Sequence, residues 1–251
     1  MKVKLICDTM VYVRLKGGVA MRGGFGFDQG PVVVGDGIKK YMTLVYNRMF
    51  MALCVTGLVS FICTSNQEVL AFLFGGFSTV LMLATIGIVF YLSARIGKIN
   101  SEAANALFWL YSALIGVSIS PMISLYTGES VTVSFFTAAV FFGGMSFYGY
   151  VTKKDLSGVG SFMMVGLFAI IITSLINLAL GSSAIQMGLS AFGVIVFCGL
   201  TAYDIQKIKK FYDANVDEET LKKRAVIGAL GLYLDFLNIF ISLLRLLGDR
   251  R

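Results

Sequence analysis

The sequence GLYLDFLN, residues 231–238, places one aspartate, Asp235, in the middle of a long apolar stretch. A second aspartate, Asp204, lies in GLTAYDIQK, residues 199–207, near the end of the preceding apolar stretch. A carboxylate inside a membrane-spanning helix is unfavourable unless it is neutralised, paired or in contact with water, so such residues are candidates for function. The rest of the chain is therefore interpreted around these two aspartates.

The composition is typical of an integral membrane protein. Of the 251 residues, 57% are hydrophobic and 14% are charged, and the mean hydropathy is +0.82, whereas soluble domains have about 25% charged residues. The net charge of +7 is distributed in short basic clusters between apolar runs, which is the pattern of cytoplasmic loops in membrane proteins. We therefore expect a multi-pass membrane protein that has the lipid bilayer, and no nucleic acid, as its partner.

Seven apolar segments, each long enough to cross a bilayer, follow residue 44. They cover approximately residues 45–63, 69–92, 103–122, 131–150, 158–180, 184–204 and 225–247. The predicted fold is an all-α membrane protein in which residues 45–251 form a seven-helix transmembrane domain and residues 1–44 form a flexible cytoplasmic tail.

The basic residues alternate in the way that the positive-inside rule requires. The loops near 64–68, 123–130 and 181–183 contain no Lys or Arg, whereas 18 of these residues lie on the other side of the predicted spans. This asymmetry predicts a cytoplasmic N-terminus. Arg245, Arg250 and Arg251 would then lie outside if the last segment spans fully. Either they are an exception to the rule or that segment is re-entrant, and its length favours a full span.

Small residues recur within the apolar segments, among them Gly75, Gly143, Gly144, Gly188, Gly193, Gly199, Gly228 and Gly231. Small side chains allow helices in lipid to approach closely. We therefore predict that these glycines serve helix packing and do not bind a cofactor.

The chain contains no histidine. It therefore lacks the Ser–His and Cys–His pairs of nucleophilic catalysis and the His-Glu-x-x-His motif of metalloproteases. The four cysteines show no Cys-x-x-Cys spacing, so neither a zinc site nor a disulfide framework is indicated. We expect no enzymatic activity and no bound cofactor.

The loop between the last two segments suggests that Asp204 and Asp235 face each other. Asp217, Glu218 and Glu219 are typical of a helix start, which places Asp204 about ten residues before one helix end and Asp235 about 18 residues after the next start. These spacings correspond to about 15 Å and about 27 Å along the helix axes. Antiparallel neighbours joined by a short basic loop would bring the two carboxyl groups together in the cytoplasmic half of the bilayer.

Two carboxyl groups within hydrogen-bonding distance cannot both ionise easily in a low dielectric, so the pair shares a proton. The protonated pair would bridge two helices, whereas the doubly ionised pair would separate and offer oxygen ligands of the kind that calcium prefers. Asp204 and Asp235 are thus also candidates for transient calcium ligands. In the alternative, each aspartate is satisfied separately by Lys, Arg or water near the cytoplasmic surface. Arg95 is a candidate basic partner of the pair, and its alternative role is an ordinary positive-inside anchor.

Several short motifs resemble the Bax inhibitor-1, or transmembrane Bax inhibitor motif, family. They are FTAA at 136–139, KKDLS at 153–157, YDIQ at 203–206, LYLDFLN at 232–238 and LLR at 243–245. Each motif alone has modest specificity, but their combination in this order is specific. The resemblance covers approximately residues 40–248.

The resemblance implies a seven-helix fold in which the last helix is central and is surrounded by the other six. It also implies a pH-sensitive calcium leak across the membrane, gated by an aspartate pair that matches Asp204 and Asp235. Arg95 matches a basic residue that hydrogen-bonds to this pair. Two departures from the family pattern concern pore lining and acid sensitivity: the second segment contains no acidic residue, and the loop between segments six and seven is long.

Two other functions are weighed against the leak channel. Intramembrane aspartyl proteases also place aspartates in consecutive helices, but this chain lacks their Gly-x-Gly-Asp motif and has only two prolines, Pro31 and Pro121. The second alternative is a non-conducting regulator that binds membrane proteases or other membrane proteins, with the aspartates as a structural latch. Transport by alternating access is weaker, because no pair of interrupted helices occupies corresponding halves of the chain.

Overall fold

The computed structural model describes residues 34–251, which are predominantly helical. The helices are α1 (Val34–Ser65), α2 (Gln67–Phe72), α3 (Ser78–Arg95), α4 (Ser101–Ser124), α5 (Gly128–Val151), α6 (Ser157–Leu180), α7 (Ser183–Lys210) and α8 (Glu218–Leu247), with a π-helical turn, Leu73–Phe77, between α2 and α3. Within this described range, six helices are long and apolar enough to cross a membrane, namely α1 and α4 to α8. The prediction of an all-α, multi-pass membrane protein is confirmed.

The second predicted segment, residues 69–92, is not one of those six helices. It is divided among α2, the π-helical turn and α3. The turn contains Gly75 and Gly76, and glycine is less favourable than alanine in a helix by about 1 kcal/mol. A hydropathy pattern therefore identified the apolar stretch but not the interruption within it.

The first helix begins earlier than predicted. Residues 34–44 were assigned to a flexible tail, but α1 starts at Val34. Tyr41 and Met42 are buried, whereas Lys39 and Lys40 are exposed, so one face of this first part packs on the protein and polar residues occupy the other. The remainder of the predicted tail, residues 1–33, lies outside the described residues.

Polar caps define where several helices begin. The Asp217 side chain accepts a hydrogen bond of 2.8 Å from the Thr220 amide, with Glu218 and Glu219 in the first turn of α8. Asn100, Thr127 and Ser182 cap α4, α5 and α7 in the same way. The predicted acidic start of the last helix is confirmed, and its cap satisfies amide groups that have no partner within the helix.

Contacts between loops bring the basic clusters together at one end of the bundle. The Tyr41 ring lies 5.8 Å from the Tyr212 ring, and Ser101 Oγ donates a 2.7 Å hydrogen bond to Glu219. Gln206 Nε2 donates to the Lys154 carbonyl at 2.8 Å. We call this end, which carries the clusters Arg95–Lys98, Lys153–Lys154 and Lys207–Arg224, the basic end.

The last helix runs from the basic end to the opposite end. There, the Arg251 amide donates to the Leu125 carbonyl at 2.9 Å, and the Thr127 amide donates to the Asp249 carbonyl at 3.1 Å. The residues after α8 are thus fixed beside the loop between α4 and α5. This course agrees with a full span and not with a re-entrant segment.

The helices differ in how much of their surface lies inside the protein. Of the 18 most apolar consecutive residues of α8, 72% are buried inside the protein. The corresponding share for α6 is 11%. Helix α8 packs against α1, α4, α5 and α7, while α6 packs on α7 and α3 packs on α4. Exposed apolar side chains such as Phe136, Phe162 and Leu178 therefore form the surface available to lipid, and the helix that carries Asp235 lies within the protein.

Candidate functional site

Both aspartates are buried. Asp204 on α7 is 6% exposed and Asp235 on α8 is 0% exposed. Asp204 lies six residues before the last residue of α7, Lys210, so the predicted spacing of about ten residues was wrong. The helix ends earlier because residues 211–216 form a turn in which the Asn215 amide donates to Asp213 Oδ1 at 2.9 Å.

Close contacts define the register of the antiparallel helices α7 and α8. A Cβ atom placed on Gly228 would lie 3.3 Å from the Ile208 side chain, and one on Gly231 would lie 3.4 Å from Asp204 Oδ2. Near the other end, a Cβ atom on Gly193 would lie 2.9 Å from Ser242 Oγ. This register places Asp235 level with Leu200, which is one helical turn, or about 6 Å, from Asp204 along the axis.

The directions of the side chains reduce this offset. Side chains in an α-helix lean toward the helix N-terminus, and α7 and α8 run in opposite directions. Asp204 therefore leans toward the level of Asp235, and Asp235 leans toward the level of Asp204. Both residues interact with other groups of the protein, and Asp235 lies near the buried Cys198 of α7.

The part of α7 that carries Asp204 is held by close backbone packing. A Cβ atom on Gly149 of α5 would lie 2.9 Å from Ala202 Cα, and one on Gly160 of α6 would lie 2.5 Å from the Tyr203 ring. Either position would be too crowded for a larger residue without a shift of its neighbours. Helices α5, α6 and α8 thus enclose α7 at residues 202–204.

The prediction that glycines serve packing is confirmed at some positions and not supported at others. It is confirmed for Gly193, Gly199, Gly228 and Gly231, all on α7 or α8, where a Cβ atom would contact a neighbouring helix. It is not supported for Gly75, Gly143, Gly144 and Gly188, because no described atom of another element lies within 4 Å of a Cβ position there. Composition alone does not reveal which face of a helix a glycine occupies.

Gln206, two residues after Asp204, attaches α7 to the loop between α5 and α6. Its Oε1 accepts a 2.9 Å hydrogen bond from the Leu156 amide, and its Nε2 donates a 2.8 Å hydrogen bond to the Lys154 carbonyl. The same loop is also contacted by Lys210, which pairs with Asp155 at 2.9 Å. Gln206 belongs to the YDIQ motif, which is the sequence signal for this positioning role.

A buried hydrogen-bond network joins α8 to α1 and α4 beside Asp235. The Tyr233 hydroxyl lies 2.6 Å from Thr56 Oγ1, which also donates toward the Ser112 carbonyl at 2.8 Å. The Tyr233 ring makes edge contacts with Phe108 and Tyr111. Sequence reasoning did not identify Thr56, because a single threonine in an apolar segment carries no signal of its distant partner.

Arg95, the third candidate residue, is the last residue of α3, and its side chain is exposed. The structure thus places Arg95 at the surface of the basic end and the two aspartates in the interior. Its role as a hydrogen-bonding partner of the pair stays a prediction.

No group of three or more His, Cys, Asp or Glu side chains suited to holding a metal ion occurs in residues 34–251. Two carboxyl groups alone supply only part of the six to eight oxygen ligands of calcium. What the arrangement can do chemically is to exchange protons between two carboxyl groups and to place negative charge between α7 and α8.

Comparison with known proteins identifies relatives along most of the chain. A family model described as "Inhibitor of apoptosis-promoting Bax1" matches residues 38–251. An uncharacterized protein of Rickettsia prowazekii is 42% identical over 86% of this chain and 92% of its own length. The inner membrane protein YbhL of Escherichia coli is 41% identical over 86% of this chain and 94% of its own length. A membrane protein of Streptococcus pyogenes is 33% identical over 84% of this chain and 93% of its own length.

Proposed function

Because the chain belongs to the Bax inhibitor-1 family, we propose that it is a pH-sensitive calcium leak channel gated by Asp204 and Asp235. The family match confirms the resemblance that the sequence motifs indicated. The observation that carries the proposal is that two buried aspartates lie on facing surfaces of α7 and α8 and lean toward each other. Such groups inside a membrane protein are candidates for a proton or ion pathway.

In the closed state, a shared proton allows the two carboxyl groups to form a hydrogen bond between α7 and α8. When the pH rises and the proton is lost, two negative charges remain in a low dielectric, and their repulsion favours separation of the helices. The separated carboxylates would be transient ligands for a permeating calcium ion, with water completing its coordination. Calcium is the permeant ion in this proposal and protons are the regulating ligand.

The proposed channel has seven spans. The segment divided among α2, the π-helical turn and α3 provides one of them, and α1 and α4 to α8 provide the other six. Of those six, α8 is the most buried, and it packs against α1, α4, α5 and α7. The basic end faces the cytoplasm of a bacterial cell, in keeping with the positive-inside rule. The aspartate pair then lies in the cytoplasmic half of the inner membrane, and Arg95 lies at the cytoplasmic surface, where a hydrogen bond to the pair would require α3 to move.

Calcium flux into dye-loaded liposomes tests this function. The purified protein, Asp204→Asn and Asp235→Asn are compared between pH 5 and pH 8, with Asp155→Asn as a matched control because Asp155 is an exposed aspartate at the basic end. Flux through the unmodified protein and the control should increase with pH. Flux through Asp204→Asn and Asp235→Asn should depend on pH much less.

Two outcomes would contradict the proposal. A pH response that persists in both buried variants would exclude the aspartate pair as the gate. Flux no greater than in empty liposomes, measured with demonstrably folded protein, would exclude the leak and favour the non-conducting regulator that binds membrane proteases or other membrane proteins.

A further inference from the structure

An open cavity of about 420 Å³, lined by both apolar and polar side chains, lies between α6, α7 and α8, toward the end opposite the basic end. This volume is within the range of small-molecule sites, about 300–1,000 Å³. The polar groups that line it include Asn177 of α6, Gln186 of α7, and Asn238, Ser242 and Arg245 of α8. The cavity begins one turn beyond Asp235 and extends away from the aspartate pair.

The cavity contains hydrogen-bonding groups that the protein does not use. Asn177 Oδ1 accepts a 3.0 Å hydrogen bond from the Ser182 amide. The NH2 group of the Asn177 side chain therefore remains available as a donor. In the described part of the chain, the side-chain amide of Gln186 and the Ser242 hydroxyl have no hydrogen-bond partner. These side chains are half-buried, so water or a polar ligand that enters the cavity can reach them and complete their hydrogen bonds.

Arg245 is the charged residue among those that line the cavity. Its guanidinium contacts Met122 Sδ at 3.8 Å, and no carboxylate of residues 34–251 forms an ion pair with it. The position of Arg245 in the last turn of α8 is favourable for a cation because of the helix dipole. The dipole accounts for a positive charge at this position. It does not account for the hydrogen-bond donors of other residues that line the adjoining cavity.

The cavity lies near the ends of α6 and α8 that are opposite the basic end, and we place this level at the membrane surface because both helices are long and apolar enough to span a bilayer. Its lining includes the last turns of α6 and α8, and Leu178 beside it is 84% exposed. Apolar residues of the lining, among them Ile170 and Phe197, lie deeper along the helices than Arg245. A planar guanidinium beside neutral amide and hydroxyl groups matches the chemistry of a phosphate group.

We propose that this cavity binds a phosphate-bearing anion, with Arg245 as the principal ligand and Asn177, Gln186 and Ser242 as hydrogen-bonding partners. The phosphate belongs either to the headgroup of an anionic lipid or to a soluble anion. Basic pockets between transmembrane helices accept anionic headgroups at the cytoplasmic side of membranes, and the same contacts between arginine and phosphate apply to a headgroup at the opposite side. The site is separate from the aspartate pair, so its existence does not depend on calcium leakage.

Binding of short-chain probes to the detergent-solubilised full chain tests the site. Dihexanoyl phosphatidylglycerol, dihexanoyl phosphatidylcholine and inorganic phosphate are titrated against the unmodified protein, Arg245→Gln and the control Arg250→Gln. Arg250 is a suitable control because it is an exposed arginine at the same end, stacked 5.9 Å from the Tyr126 ring and outside the cavity. A second variant, Gln186→Glu, keeps the side-chain size and adds a negative charge to the cavity.

We expect Arg245→Gln and Gln186→Glu each to weaken binding of the anionic probe by roughly tenfold or more, because a charge-assisted hydrogen bond is lost or opposed. Arg250→Gln should change binding less than about twofold. Tight binding of phosphatidylglycerol alone would identify a lipid site, and equal binding of inorganic phosphate would identify a site for phosphate itself. Absence of saturable binding by either anion, or binding that Gln186→Glu and a folded Arg245→Gln leave unchanged, would overturn the proposal.

Discussion

The two halves of the α7–α8 contact differ in how they use the same pair of helices. Toward the basic end, α7 is enclosed so closely that Gly149 and Gly160 are positioned against Ala202 and Tyr203. Toward the opposite end, α6, α7 and α8 line a cavity of about 420 Å³. Close packing thus surrounds Asp204, whereas unused hydrogen-bonding groups surround the cavity beside Arg245. The difference shows that α7 and α8 can be closely packed around a buried aspartate and, farther along the same two helices, can border an open cavity.

The largest loss of stability is expected from Gly149→Ala, which adds a methyl group in the closely packed half. The new methyl group would meet the backbone of Ala202, and backbone cannot move aside as a side chain can. We expect a loss of about 3 kcal/mol or more of unfolding free energy, at the upper end of overpacking effects. Thermal or denaturant unfolding in detergent measures it.

Gly143→Ala is the matched control, because it is the same substitution in the same helix where a Cβ atom has no neighbour within 4 Å. The control should be neutral or slightly stabilising, since alanine favours helix over glycine by about 1 kcal/mol. Equal stability of the two variants would show that the close contact at Gly149 is not a constraint.

A smaller effect is expected from Tyr233→Phe, which tests the polar network within the packed half. The substitution removes the hydroxyl that lies 2.6 Å from Thr56 Oγ1 but keeps the ring contacts with Phe108 and Tyr111. A lost hydrogen bond of this kind corresponds to about 1 kcal/mol of unfolding free energy. Tyr148→Phe, at an exposed position of α5, should leave the same unfolding measurement unchanged, and an equal loss in both variants would argue against the network.

Gly193→Ala tests the half that borders the cavity. It is the same glycine-to-alanine change that is expected to be strongly destabilising at Gly149. Its Cβ atom would lie 2.9 Å from Ser242 Oγ, but this hydroxyl can rotate into the cavity. We expect a net change in unfolding free energy of less than about 1 kcal/mol, because the helix propensity of alanine offsets the contact. Destabilisation as large as that of Gly149→Ala would remove the proposed distinction between the two halves.

The smallest effect is expected from Asp155→Asn at the surface of the basic end. Hydrogen bonds from Lys210 and Ser157 lower the pKa of Asp155 below its ordinary value of 3.8. A lowered pKa in the folded state means that the interaction stabilises the protein above the ordinary value and is lost as the pH falls through the folded-state pKa. At neutral pH the exposed pair is screened by solvent, so the melting temperature should change within measurement error, and a large decrease would contradict this assignment.

The sequence could predict much of the fold because each correct inference depended on a local pattern. Apolar runs indicated the long helices, Asp217 with Glu218 and Glu219 indicated the start of α8, and the loop charges indicated a common basic end. The helical residues 34–44 were missed because their polar residues lie on one helix face, which a count of apolar residues does not resolve. The interruption at Leu73–Phe77 was missed for a similar reason.

The candidate site was predicted in part. Asp204 and Asp235 were identified by the exceptional position of a carboxylate in an apolar segment, and their location on facing helices follows from the antiparallel course of two consecutive helices. The contributions of Thr56 and Gly149 could not be predicted, because their partners lie far away in the chain. Arg245 was known from its motif, but its cavity became visible only in the structure.

The amino-acid sequence by itself determined that this protein spans a membrane, that its basic residues cluster at one end, and that two aspartates lie in its last two helices. These properties follow from hydropathy and charge, which act on each segment nearly independently. The tertiary structure decided which helix is buried, which glycines lie in close contacts, and where α6 and α8 leave a cavity. Those properties depend on the relative rotation and register of helices, which are set by packing between residues that the chain separates widely.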